Sequence, residues 1–126
     1  MSEYHEPEAE LSALTRDFHR ALRSLGEEIE AVDWYQQRFD TCGDATLRAV
    51  LGHNRDEEME HACMVLEWLR RTMPGWDTNL RKYLFTEGPV TAIEGGAEKP
   101  GATSAPPQRA GDGEGDLGIG SLRSAP

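Results

Sequence analysis

Two helical repeats of apolar residues, nearly equal in length and broken once, constrain this chain more than any other feature of its sequence. From Leu11 the positions Leu11, Leu14, Phe18, Leu22, Leu25, Ile29, Val32 and Phe39 keep a helical spacing up to Asp40, and Pro7 suits the first turn of such a helix. The break is "TCGDAT" (41–46), where Gly43 can take a left-handed turn and Asp44 can cap a second helix. That helix runs to about Met73, where Pro74 and Gly75 stop it. At 1.5 Å per residue each helix is about 45 Å long. So short a connection makes the two antiparallel neighbours. Asp77 is placed to cap a short third helix over Thr78 to Phe85, and "TEGPVTAIE" (86–94) adds a helical turn after Pro89. A hairpin this thin leaves apolar edge uncovered, so the pattern predicts an all-α protein: a two-helix hairpin with a short C-terminal helix, closed into a four-helix bundle by dimerisation.

The remaining sequence separates sharply from this part. From Gly95 onward the chain holds eight of its thirteen glycines and four of its seven prolines, with no aromatic residue, which is the composition of a disordered linker. The organisation expected is therefore a helical domain over 1–94, a linker over 95–115 and a terminal segment over 116–126. That last segment is anomalous for a solvating tail, because "GDLGIGSLR" ends it in Leu117, Ile119 and Leu122. Apolar anchors after a linker read as a docking peptide that takes up structure on a partner's surface.

The formal net charge is −10, and three basic against four acidic residues beyond position 94 leave −9 to residues 1–94. Such acidity argues against nucleic acid and anionic membrane as partners and favours cations as ligands. No apolar run approaches the roughly 20 residues that span a bilayer. The acidic start "MSEYHEPEAE" is unlike a signal peptide, so a cytoplasmic location is expected. Cys42 and Cys63 have neither the density nor the spacing of a disulfide framework or zinc knuckle and read as reduced thiols.

The chemistry is concentrated where the second helix breaks its own pattern. Its stripe Leu47, Leu51, Asn54, Glu58, His61, Val65, Trp68 is polar in the middle, and burying an unpaired carboxylate costs several kcal/mol. Glu58 and Glu28 each lie fifteen residues from Gly43, on opposite sides, so an antiparallel hairpin sets them at the same height. Glu28 falls on the seam of the first helix between Leu25 and Val32, with Tyr35 two turns further on, and Glu58 and His61 stand one above the other. One Glu from one helix with Glu-x-x-His from its neighbour is half of the set by which four-helix bundles hold two iron or manganese ions. A two-fold dimer supplies the other half, Glu28, Glu58 and His61 from both chains. Carboxylates with imidazole suit Fe(II) or Mn(II). Glu27, Glu30, Glu57 and Glu60 flank the seam as an acidic, solvated face, and His53 lies near Glu57 and Glu60 on the second helix.

These residues resemble a known family, the encapsulated ferritins. "EEIEAVDWYQQR" (27–38), "HNRDEEMEHACMVLEWLRR" (53–71) and "YLFTEGPVTAIE" (83–94) look like its three signature blocks, and "LGIGSLR" resembles the peptide that loads cargo into encapsulin shells. The resemblance implies a ferroxidase that oxidises Fe(II) with oxygen at a di-iron centre between two subunits, two Fe per subunit dimer, with dimers assembled into a ring, typically a decamer. By its motif Glu28, Glu58 and His61 match the iron ligands and Tyr35 a neighbour of the centre. Glu27, Glu30 and Trp34 match the region where metal enters. His53, Glu57 and Glu60 fall where peripheral cations, such as calcium, are placed. It also implies an encapsulin shell as partner, bound through Leu117, Ile119 and Leu122, and hence a place inside an encapsulin nanocompartment. Two other readings remain open on the residues alone: a metal-bridged oligomerisation module without redox turnover, and a di-metal peroxide reductase.

Overall fold

Ser12, not Pro7, sets where the first long helix begins. In the computed structural model, which describes residues 3–96, Pro7 opens a single 3-10 turn at Glu8–Glu10, and the chain then passes into α1 (Ala13–Thr41). The Ser12 hydroxyl accepts from the Thr15 amide at 3.0 Å, satisfying one of the N–H groups that the first turn of a helix leaves without a partner. The second helix, α2, is Ala45–Thr72, and its cap is Asp44, whose carboxylate accepts from the Leu47 amide at 2.8 Å.

The turn between them differs from the sequence expectation in one respect. Gly43 does not adopt a positive φ, and Cys42 and Asp44 on either side are extended (φ −77° and −85°). Positive φ is found instead at Gly75 (101°), just past α2, and at Gly88 and Gly96 further on. The third helix also starts earlier than its capping pattern implies. It spans Trp76–Tyr83 (α3), so Asp77 sits inside its first turn and binds Arg81 one turn on, at 2.9 Å. Phe85 falls outside α3, at φ 60° and fully exposed. The turn after Pro89 is α4, Val90–Glu94.

The described chain separates into two units, with the division between Trp76 and Asp77. In the first, α1 and α2 pack as an antiparallel hairpin: Phe39 meets Arg48, Gln36 meets Arg55, Glu28 meets His61 and Phe18 meets Trp68, each pair one step further from the turn on both strands of the hairpin. The fold is thus all-helical, as the periodicity requires, with no strand among the described residues. Leu69 of α2 and Ile93 of α4 are the buried apolar side chains of the described residues, while Leu14, Leu22, Ile29, Leu47 and Trp68 of the expected stripes are exposed. These exposed apolar side chains lie on both helices of the hairpin. No helix of the described residues is long and apolar enough to cross a membrane. The expected linker (95–115) and terminal peptide, with Leu117, Ile119 and Leu122, lie outside the described residues apart from Gly95 and Gly96.

Candidate metal centre

Halfway along the hairpin the antiparallel register brings Glu28 of α1 beside Glu58 and His61 of α2. Their ligand-type atoms all lie within 4.8 Å of one another, and among the described residues this is the one group of three His, Cys, Asp or Glu side chains so close. His61 Nδ1 is 3.2 Å from Glu58 Oε1 and 3.7 Å from Glu28 Oε2. The three are half-buried, with the Glu58 side chain 22% exposed and that of His61 40%. Helical spacing accounts for the pairing within α2, since residues three apart share a face, and the hairpin register accounts for the reach across to α1.

The electrostatics of the group are unfavourable without a cation. The Glu28 carboxyl is held above its ordinary range, chiefly because it shares a hydrogen bond with Glu58, then because burial disfavours its charge, and then because the Glu58 charge repels it; His61 offsets this only in part. Two carboxylates are thus pressed together with one imidazole as the nearest basic group. A divalent ion relieves this conflict, and the oxygen-rich donor set with one nitrogen suits Fe(II) or Mn(II). The residues present therefore fit such an ion, with two carboxylates and one imidazole as donors from one hairpin.

The remaining candidate residues are arranged around this group rather than in it. Glu57 lies on the outer side of His61, with Oε1 3.9 Å from Nε2, and its other oxygen is 3.8 Å from His53 Nε2. Glu27 faces Arg23 at 3.7 Å and is exposed, as are Glu30, Trp34 and Glu60. Tyr35 is half-buried with the Arg38 guanidinium 5.1 Å over its ring. His53, Glu57 and Glu60 do not draw together as a three-donor group. Cys42 and Cys63 are both free thiols. The sequence pattern reads Glu57 as part of a solvated flank with His53 nearby; the structure adds that its two oxygens lie 3.9 Å from His61 Nε2 and 3.8 Å from His53 Nε2. The signal was present as His53, Glu57 and His61, each four residues apart and so stacked along one face of α2.

An all-α hairpin carrying a Glu, Glu, His donor set in its seam defines a ferritin-like protein. A profile of the EncFtn-like family matches residues 3–87, and the chain belongs to that family. It is 57% identical over 124 residues to a "Ferritin-like protein" of Thermotoga maritima, a match that covers 95% of this chain and 97% of that one. It is 54% identical over 128 residues to an "Encapsulated ferritin-like protein" of Rhodospirillum rubrum, covering 94% of this chain and 86% of that one. Among solved structures, the crystal structure of a Nitrosomonas europaea protein superposes with a TM-score of 0.68 at 57% identity, covering 71% of this chain and 98% of the other.

Proposed function

We propose that this protein is a ferroxidase whose substrate Fe(II) is oxidised at a centre made by two copies of the chain. The observation that carries the reading is the Glu28, Glu58 and His61 group: three donors within 4.8 Å, half-buried, with the two carboxylates in mutual repulsion. Two such groups facing each other across a two-fold axis supply four carboxylates and two imidazoles, a complete set for two metal ions. The exposed apolar side chains on the same hairpin are the surface that the second copy covers.

In this reading the work of the protein is to hold two Fe(II) ions close together in fixed charge. Each Fe(II) gives up one electron, and dioxygen takes the pair with two protons, leaving two Fe(III) and hydrogen peroxide. Glu58 and Glu28 neutralise charge on the metals and His61 completes the donor set. Glu27, Glu30 and Trp34 form the approach for incoming cations, His53, Glu57 and Glu60 a peripheral cation region, and Tyr35 a neighbour of the centre. The dimers assemble into a ring, a decamer by family resemblance. Residues 1–94 act as the catalytic domain and 95–115 as a spacer. The peptide 116–126 docks on an encapsulin shell through Leu117, Ile119 and Leu122, so that oxidised iron accumulates inside the nanocompartment; the name of the Rhodospirillum rubrum relative supports that partnership.

The test is Fe(II)-dependent oxygen consumption by the purified protein and by Glu58→Ala. Turnover in the parent and its loss in the variant is the expected result. Undiminished turnover in Glu58→Ala overturns the assignment, and Fe(II) binding without oxygen uptake in the parent makes the site a bridge between subunits rather than a reaction centre.

A further inference from the structure

An imidazole that ligates a metal has two nitrogens, and which of them binds is decided by what holds the other. His61 presents Nδ1 to the carboxylates of Glu58 and Glu28, at 3.2 and 3.7 Å. Its Nε2 points the opposite way, towards Glu57 Oε1 at 3.9 Å. Glu57 is itself placed from its far side, because Oε2 lies 3.8 Å from His53 Nε2 one further turn back. Glu57 is four residues before His61 and four after His53, so all three positions are set by the pitch of one rigid helix.

The proton balance of the ring gives this arrangement a purpose. While the cluster holds no cation, Nδ1 stands 3.2 Å from Glu58 Oε1, a contact that a proton on Nδ1 would satisfy. A metal held by Glu28, Glu58 and His61 needs the Nδ1 lone pair, so the single proton of the neutral ring must reside on Nε2. There the carboxylate it faces is Glu57. We infer that Glu57 is the positioning residue of the centre: it accepts the Nε2 proton, fixes the ring as the Nδ1-ligating tautomer, and is steadied by His53. The 3.9 Å separation lies in the ion-pair range and has to shorten to hydrogen-bond distance when the centre is filled.

This inference rests on the metal-centre reading above, and Zn(II) is the probe that separates the two, because it is redox-silent and diamagnetic. The full-length protein, with its histidines 15N- and 13C-labelled, is loaded with Zn(II) and the His61 ring shifts are read by solid-state NMR, with the signal assigned by its loss in His61→Ala. The expected spectrum has zinc on Nδ1 and a hydrogen-bonded proton on Nε2. Glu57→Ala should weaken Zn(II) binding by about ten- to a hundredfold, the effect usual for a partner of a ligating histidine, and should move the Nε2 signal to that of a proton without its carboxylate. Glu57→Gln keeps a carbonyl acceptor at the same reach and should recover most of the affinity. A purely structural Glu57 would shift only the melting temperature of the zinc-free protein. Zinc on Nε2, or unchanged affinity and Nε2 shift in Glu57→Ala, overturns the inference and leaves the centre standing. Shifts of His61 that do not respond to Zn(II) at all overturn both.

Discussion

The turn end of the hairpin and its middle use the same two helices to opposite effect. At the turn end charge is settled within the chain. Phe39 lies between two guanidiniums, those of Arg48 at 4.2 Å and Arg55 at 4.8 Å from the ring centre. Each of these is also bound elsewhere, Arg48 Nε donating to the Phe39 carbonyl at 3.0 Å and Arg55 Nη1 to Gln36 Oε1 at 2.8 Å. Gly52 is buried beneath the ring, and a Cβ there would stand 2.9 Å from Phe39 Cε1. In the middle, Glu28 and Glu58 face each other with an imidazole as their basic neighbour, and the Glu28 carboxyl is driven upward as a result. One region is complete as it stands and the other is not. Opposed carboxylates with an imidazole beside them, in the seam between two helices, are an arrangement that could accommodate a cation.

That contrast breaks most visibly through the central ligands. His61→Ala should abolish oxygen-dependent Fe(II) oxidation while the circular-dichroism spectrum keeps its helical content, because α1 and α2 also meet on either side of the centre, at Phe39–Arg48 and Gln36–Arg55 and at Phe18–Trp68. Loss of helix in the metal-free variant would mean that the middle carries packing as well. Next come the two glycines inside the helices. Gly52→Ala gains up to about 1 kcal/mol of helix propensity but crowds Phe39, a kind of overpacking that costs about 1–3 kcal/mol, so the melting temperature should fall modestly. A Cβ on Gly26 meets nothing within 4 Å, and Gly26→Ala should raise stability by up to about 1 kcal/mol in the separated chain. Equal effects at both sites would show that the Phe39 contact is looser than its geometry.

The pH dependence sharpens the same comparison, with a sign that differs between two carboxylates. The Glu28 carboxyl sits above the ordinary 4.5, so the metal-free folded state binds its proton more tightly than the unfolded chain does. Its contribution is full below pH 4.5 and is lost as pH rises through the raised value. Glu28→Gln should therefore raise the melting temperature of metal-free protein at neutral pH, and the gain should vanish under acid conditions. A neutral-pH loss would mean that Glu28 is stabilised by a contact outside the cluster. Glu67 behaves conversely: Arg70 and Arg71, at 2.8 and 2.6 Å, hold its carboxyl down to about 2. Its contribution is present above pH 4.5 and disappears as pH falls towards 2. It is the smallest of these effects, because the Glu67 side chain is 41% exposed and its ion pairs are screened by water, and Glu67→Gln should flatten the melting profile only slightly across that acid range.

Much of this could be read before any coordinates, because helices write their packing into a period of 3.6 residues. The break at 41–46, the cap at Asp44 and the equal distance of Glu28 and Glu58 from Gly43 together imply the central cluster, and a chain of two helices with one short turn has few other registers. What the pattern does not carry is set by local backbone choice or by rotamers. Whether Gly43 or Gly75 turns left-handed depends on how the flanking residues extend, which no spacing encodes. Asp77 falls inside the first turn of α3, which Trp76 opens, and pairs with Arg81 one turn on. The bridging place of Glu57 follows from the direction in which the His61 ring points, so the 4-residue ladder from His53 reads as surface charge until the ring orientation is seen.

The central claim is that one hairpin supplies half a metal centre, and anaerobic Fe(II) titration followed by native mass spectrometry tests it most directly. The account predicts that iron appears on pairs of chains and their multiples, two ions per pair, and is absent from single chains. Iron bound equally well to single hairpins, or pairs that form fully loaded with only one ion, would contradict it.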